Sequence, residues 1–414
     1  MKLSTDSYKG VRDFYPRDKF VHDYILNTWA HTCESVGYEP YAASILEPAE
    51  LYKSKTSDEI VNEQTYTFED RGGREVTLRP EMTPTVARMV ARQQRELGFP
   101  LRWYSTPNCF RYERMQRGRL REFWQLNADL FGLSGIEADT EIIMLAHSLM
   151  KTFGATDADF EIRLNDRRVF DHIFDEADID AGTRKSVISL LDRRTKIDNF
   201  ESELAALTGD KATILLNLFN SAASNVLLED VRESLIKRGV ENVVIDTSIT
   251  RGFDYYTGMI FEVFDTAPEN NRSLFGGGRY DNLLEVFGVE KVSAVGFGMG
   301  DVTIKDFLET HDLLPEYVSP TDIMLCVLDE SASSFADSVA QTLREQDMNV
   351  AVNYSYKKAG NQIKMADKKS IPFVACIGKQ EMESNLLTVK HLSSGEQKEL
   401  PVEAVADHIF TQEI

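Results

Sequence analysis

Residues 101–131 read LRWYSTPNCFRYERMQRGRLREFWQLNADLF. Strand-like runs at 102–105 and 108–112 lead into a basic loop holding one glycine, Gly118. A third strand-like run, 122–131, follows. Strands joined as hairpins, with helices set between them, predict an antiparallel sheet rather than a βαβ series. Upstream, 64–68 and 76–79 alternate around a turn at Arg71-Gly72-Gly73, and Pro84 opens a helix over 85–96 that stops before Gly98 and Pro100. Earlier still, Phe20, Val21, Tyr24, Ile25 and Trp29 fall at helical spacing within 18–36, with Gly37 as the stop.

Downstream, a helix is expected over 136–153. The stretch 166–238 is polar, charged and helical in pattern, and sheet signals resume at 243–246, 260–264 and 293–297. A strand set interrupted by a helical block implies an insertion, about 166–240, into a first domain spanning 1–320. Pro315 and Pro320 bracket a break. Beyond it, runs at 323–328, 350–353 and 373–377 alternate with helices at 336–346 and 362–368, which predicts a small α/β unit with a parallel core over 321–414. The expected class is therefore α+β.

Composition narrows the function. Hydrophobic residues are 42% and charged residues 27% of the chain, as in ordinary folded proteins. No run approaches the roughly 18 apolar residues that cross a bilayer, and the first residues, MKLSTDSYKGVRDFYPRDKF, have no apolar signal core. Cys33, Cys109, Cys326 and Cys376 form no CxxC pair and the seven histidines are scattered, so a reducing, cytoplasmic setting without structural zinc is expected. The net charge of −21 argues against a nucleic-acid partner at first sight. Fields act locally, however, and the basic residues cluster. Arg111, Arg114, Arg117, Arg119 and Arg121 make one group; Lys357, Lys358, Lys364, Lys368 and Lys369 make another. An acidic body with two basic patches suits a polyanion gripped at two places.

Several short motifs carry chemistry. In FRYER (110–114) and its loop, guanidinium forks suit bidentate phosphate recognition, and five neighbouring arginines should repel one another unless an anion is present. In LRPEMTP (78–84), Glu81 and Thr83 at the start of a Pro-opened helix can hold an ammonium group, although Thr83 can equally serve as a helix cap. RGFDYYTG (251–258) offers tyrosine hydroxyls to a polar ring and Arg251 to a carboxylate or phosphate. GGGRYD (276–281) lets backbone approach a ligand closely. GFGMGD (296–301) lacks dinucleotide-binding GxGxxG spacing.

In this order the motifs resemble those of the histidine–tRNA ligases, class II aminoacyl-tRNA synthetases, over nearly the whole chain. RGFDYYTG and GGGRYD resemble the family's two histidine signatures, FRYER its motif 2, LRPEMT its amino-group reader, and ADKKSIPFVACIG (366–378) its anticodon-binding domain. The resemblance implies a six-stranded antiparallel sheet flanked by helices, a helical insertion, a C-terminal α/β anticodon-binding domain, and a homodimer built partly on the first helix. It implies that Glu81 and Thr83 hold the α-amino group of histidine. Gln125, Asp129 and Tyr256 would surround the histidine, with Asp129 and Tyr256 reading its imidazole and Tyr255 in the same pocket wall. Arg111 would bind the α-phosphate of ATP, Arg119 the γ-phosphate, and Arg251 both the substrate carboxylate and the α-phosphate. Arg111 and Arg251 are thus the implied catalytic pair. Gln116 and Arg121 match loop positions that read the extra 5′ guanosine of tRNA(His). Magnesium is expected with ATP, without protein ligands assigned to it. Two positions depart from the pattern: Asp129 stands where many members carry Glu, and Thr303 stands where motif 3 usually places an adenine-stacking arginine, with Lys305 the next cation. The competing readings are a non-catalytic paralogue, the regulatory subunit of ATP phosphoribosyltransferase, and an RNA-binding module without ligase activity.

Overall fold

The computed structural model describes residues 3–53, 64–191, 194, 197, 199–221, 226–249, 255–270 and 272–412. The chain divides into two compact units, 1–314 and 315–414.

The first unit is organised by a sheet in which six strands run in unbroken antiparallel succession: Leu101–Ser105, Glu122–Phe131, Ala294–Gly300, Ser273–Arg279, Met259–Asp265 and Phe160–Asp166. Short parallel strands close its edges, Glu39–Pro40 on one side and Val243–Ile245 on the other. Asn108–Phe110 pairs on the outer half of Glu122–Phe131. A separate three-stranded sheet holds Leu46–Pro48, Glu75–Leu78 and Tyr66–Glu69.

Helices Pro16–Ser35 and Ile136–Thr152 lie against one face of the large sheet. Ile25, Trp29, Ile142, Leu145 and Leu149 are buried there with Leu126, Leu130, Phe261 and Val295. Burying such side chains stabilises by roughly 1.5–3 kcal/mol each. Trp29 donates its indole Nε1–H to the Met299 sulfur at 3.0 Å, tying the first helix to the sheet. Helices between 167 and 221 build a satellite core of their own from Phe170, Phe174, Leu190, Leu204, Leu215 and Phe219. The helix Val226–Ile236 instead buries Leu228, Val231 and Leu235 in the core of the main sheet.

Two of the six antiparallel strands of the large sheet escaped the sequence reading. Ser273–Arg279 holds GGG, which offers no side chain for an alternation signal, and yet it lies at the centre of the sheet. Phe160–Asp166 does alternate, with Phe160, Ile162 and Leu164 buried, but it abuts the helical stretch. Asp166 in fact caps the next helix, its Oδ1 accepting from the Arg168 N–H at 2.9 Å.

In the second unit, Val350–Asn353, Ile323–Val327 and Phe373–Ile377 are parallel, and the hairpin Leu386–His391 and Gln397–Pro401 extends them antiparallel. The hairpin was not anticipated. Leu325, Val327, Ala336, Leu343, Phe373 and Ile409 fill the core. Gln362, 1% exposed, donates from Nε2 to the carbonyls of Val327 and Lys357 at 2.8 and 2.7 Å, which anchors the start of the Ala359–Lys368 helix. All five lysines named above are exposed, before, along or just after that helix. Among the described residues no helix is long and apolar enough to cross a membrane.

Candidate active site

A strand's period of two puts Gln125, Asn127 and Asp129 on one face of Glu122–Phe131. The neighbouring strand, Ala294–Gly300, sets glycine opposite each of them: Gly300 against Gln125, Gly298 against Asn127, Gly296 against Asp129. One strand further, Gly276 and Gly278 face Gly298 and Gly296. The glycines are needed for space. A Cβ on Gly296 would stand 2.5 Å from Asp129 Oδ1 and 2.6 Å from the Ala128 carbonyl oxygen; one on Gly298 would stand 2.8 Å from Gln125 Nε2. The result is a sheet without side chains in its middle, sunk between polar walls.

Over this floor lies a cavity lined by Glu81, Thr83, Arg111, Gln125, Asn127, Tyr255, Tyr256, Tyr280 and the strand Gly296–Gly298. Six residues singled out from three distant motifs therefore converge. Asp129 lies beneath them, 1% exposed. Its Oδ1 accepts a short hydrogen bond from the Tyr280 hydroxyl and its Oδ2 one from Tyr41 at 3.5 Å. Burial raises its pKa to about 7, against the pull of those two donors. Glu81, 3% exposed, accepts from the Tyr255 hydroxyl at 3.1 Å, and Tyr255 packs edge-on against Tyr280 with ring centroids 5.9 Å apart.

Thr83 is not a cap: the helix begins at Thr83 itself with Met82 as N-cap, and the Thr83 side chain lines the cavity. Arg111 is mostly buried, donates from Nε to the Pro80 carbonyl at 2.9 Å, and lies 5.2 Å from the centroid of the Phe123 ring. Arg251 and Asp254 lie outside the described residues.

The remaining loop residues do not enter the cavity lining. Gln116 and Arg119 close the tip of the hairpin through a backbone bond of 2.9 Å, with Gly118 between them at φ +77°. Arg121 lies over the Tyr112 ring, 3.9 Å from its centroid, and donates to the Tyr8 hydroxyl at 3.1 Å. Carboxylates offset part of the mutual repulsion expected of these arginines. Glu113 lies 3.8 Å from Arg111 and 3.5 Å from Arg119, and Arg117 pairs with Asp306 at 2.8 Å.

Two motif arginines prove structural. Arg279 of GGGRYD, 6% exposed, bonds Asp139, Ser293 and the carbonyls of Leu133 and Gly135; only its neighbour Tyr280 reaches the cavity. Arg79 ties the carbonyls of Ala43, Ser44 and Asn108 together. Thr303 turns its hydroxyl to the carbonyls of Leu274 and Gly300, at 2.8 and 3.1 Å, and Lys305 pairs with Glu309. Asn127, Tyr280 and Tyr41 were missed. Asn127 was legible, as the middle member of the Gln125–Asp129 alternation; Tyr41 comes from a distant loop with no motif around it. Among the described residues no group of three or more His, Cys, Asp or Glu side chains converges as a metal site.

Comparison with known proteins adds a separate line of observation. The family model for histidyl-tRNA synthetase matches residues 10–303, and one for an anticodon binding domain matches 322–411. The histidine–tRNA ligase of Leptospira biflexa is 40% identical over 417 residues, covering 96% of this chain and 95% of its own. That of Haloarcula marismortui is 35% identical over 425 residues, covering 96% of each. The crystal structure of histidyl-tRNA synthetase from Nostoc superposes with a TM-score of 0.76 at 25% identity, covering 99% of this chain and 100% of that one. A glycine-floored cavity walled by the residues of both histidine signatures, in a chain alike over its whole length, leads to one assignment: this protein belongs to the histidyl-tRNA synthetase family.

Proposed function

We propose that this chain activates L-histidine with ATP and transfers it to tRNA(His), releasing diphosphate and AMP. The observation that supports this most strongly is the convergence of Glu81, Thr83, Arg111, Gln125, Tyr255 and Tyr256 on one cavity above Asp129. An acidic group with a hydroxyl beside it, Glu81 and Thr83, suits a substrate ammonium. Asp129, held by two tyrosines, suits an imidazole N–H.

In the first step the histidine carboxylate attacks the α-phosphorus of ATP and diphosphate leaves. The substrate supplies the nucleophile, so the protein's part is positioning and charge stabilisation. Arg111, fixed by the Pro80 carbonyl, would meet charge that develops on the α-phosphate, and Arg251 would act with it. Arg119, on the exposed hairpin, would reach the γ-phosphate, and magnesium would arrive with the nucleotide as part of the substrate. In the second step a ribose hydroxyl of the tRNA end attacks the carbonyl of the adenylate and AMP leaves. Gln116 and Arg121 on the hairpin would meet the 5′ end of the tRNA. Residues 321–414 would bind the anticodon, where exposed Tyr354 and Tyr356 beside Lys357, Lys358 and Lys364 pair stacking surfaces with phosphate-binding charge. A cytoplasmic homodimer is the assembly we infer.

Thr303 faces backbone, so adenine must be held without a motif 3 arginine, and Phe123, stacked near Arg111, offers the ring surface for it. ATP–pyrophosphate exchange, run with each amino acid, tests the reading. Exchange with histidine alone is expected. Its absence in folded protein would favour the regulatory paralogue.

A further inference from the structure

The strand Glu122–Phe131 loses a neighbour near its start. Ala294–Gly300 pairs with it only as far as Gly300 opposite Gln125, because the chain turns there into the helix Asp301–Thr310. Backbone groups of successive strand residues point to opposite edges. The Gln125 N–H reaches the Pro107 carbonyl at 3.0 Å, on the edge shared with Asn108–Phe110. The N–H groups of Trp124 and Glu122 therefore face the edge left open.

That edge is closed by other means. The backbone of Asp301 already follows the helix, and its side chain takes over: Oδ1 accepts from the Trp124 N–H at 2.9 Å. The Gly10 carbonyl accepts from the N–H groups of Arg121 and Glu122 at 2.8 and 3.3 Å. Arg12, two residues beyond Gly10, joins the two acceptors, its Nη2 donating to Asp301 Oδ2 at 2.6 Å. Asp301 is 1% exposed, and burial raises its pKa against the pull of Arg12 and the Trp124 N–H.

Phe123 lies between the two bonded N–H groups and pairs with Cys109 on the other edge. The period of two puts its ring on the face of Gln125 and Asp129, beside Arg111 at 5.2 Å. Arg12 lies with Trp124 instead, its guanidinium carbon 5.0 and 6.0 Å from the centroids of the Phe14 and Trp124 rings. Thr303 is turned to backbone carbonyls, so the position of the Phe123 ring comes from the strand that carries it. We infer that Asp301, oriented by Arg12, is a positioning residue for ATP: it fixes the backbone around Phe123 and thereby the ring on which adenine stacks. The inference rests on the ATP-using reading above.

The test measures ATP–pyrophosphate exchange in the full chain, with KM determined separately for ATP and for histidine. Asp301→Ala should raise the KM for ATP about tenfold while the KM for histidine changes less than about twofold, because only the adenine wall has loosened. Arg12→Ala leaves the acceptor in place but free to swing, and should raise the KM for ATP about three- to fivefold. Arg12→Lys, which restores the ion pair, should bring it back to within about twofold of wild type. In a chain already carrying Phe123→Ala, adding Asp301→Ala should change the KM for ATP less than about twofold, since both act through one ring. An unchanged KM for ATP, an equal rise in both KM values, or full additivity with Phe123→Ala would overturn the inference, as marks of a residue that only supports the fold. Should Asp301→Ala fail to fold, the two Arg12 variants decide: no rise with Ala, or no recovery with Lys, overturns it. Wild-type protein without histidine-dependent exchange would overturn the functional reading, and this inference with it; active wild type with indifferent variants would overturn the inference alone.

Discussion

One strand, Glu122–Phe131, borders two unlike regions. Toward its C-terminal half it forms the wall of a glycine-floored cavity, where Asp129, Asn127, Glu81 and Tyr280 are all at least 97% buried. At its N-terminal end it becomes one arm of an exposed hairpin whose arginines are held by Glu113, Asp306 and tyrosine rings. In the first region the carboxylates of Asp129 and Glu81 are held by tyrosine hydroxyls inside a buried wall. In the second, cations rest on carboxylates that water can replace. Selectivity for a small rigid ring needs the former, because discrimination rests on groups that cannot relax around a wrong ligand. Grip on a long, charged, moving polyphosphate needs only the latter.

The largest expected effect lies under the rigid region. Arg279→Ala leaves Asp139 buried without its partner, and should lower unfolding stability by about 3–5 kcal/mol in urea denaturation. A loss below about 1 kcal/mol would show that the floor does not depend on that pair. Next comes the residue that touches both regions. Arg111→Ala should reduce the exchange rate by about 10²–10³-fold with folding unchanged, since it removes a preorganised donor. A smaller loss at Arg111 than at an exposed arginine would invert the comparison.

In the hairpin itself, Arg119→Ala should raise the KM for ATP by about fivefold, an effect that shrinks with added salt because an exposed charge is screened. A salt-independent loss would place Arg119 in a closed site. The smallest effect is a slope. Burial lifts Asp129 from 3.8 to about 7, so the folded state holds that proton more tightly than the unfolded chain does. Wild-type stability therefore falls as pH rises through that window. Asp129→Asn removes the dependence, and its melting temperature relative to wild type should climb between pH 4 and pH 7. A flat difference would mean that Asp129 is already ionised at low pH.

The sequence alone determined much of this protein. Hairpin spacing around 101–131 dictated an antiparallel sheet, because short connections allow little else, and alternating element types dictated the α/β unit at the C-terminal end. Glu81, Arg111 and Tyr255 could be singled out because they lie in dense local motifs, whereas Gln125 and Asp129 stood out only through the resemblance to a family. Other features were decided only by tertiary structure. That Arg279 supports while Tyr280 serves the cavity depends on which face of a strand each side chain takes. That GGG is the centre of a sheet depends on neighbours that fill the space glycine leaves. That Glu113 and Asp306 neutralise the arginines depends on through-space distance, which no linear spacing records. Local periodicity is written along the chain, whereas burial and pairing arise between segments far apart in it, and the electrostatics of a site follow burial and pairing.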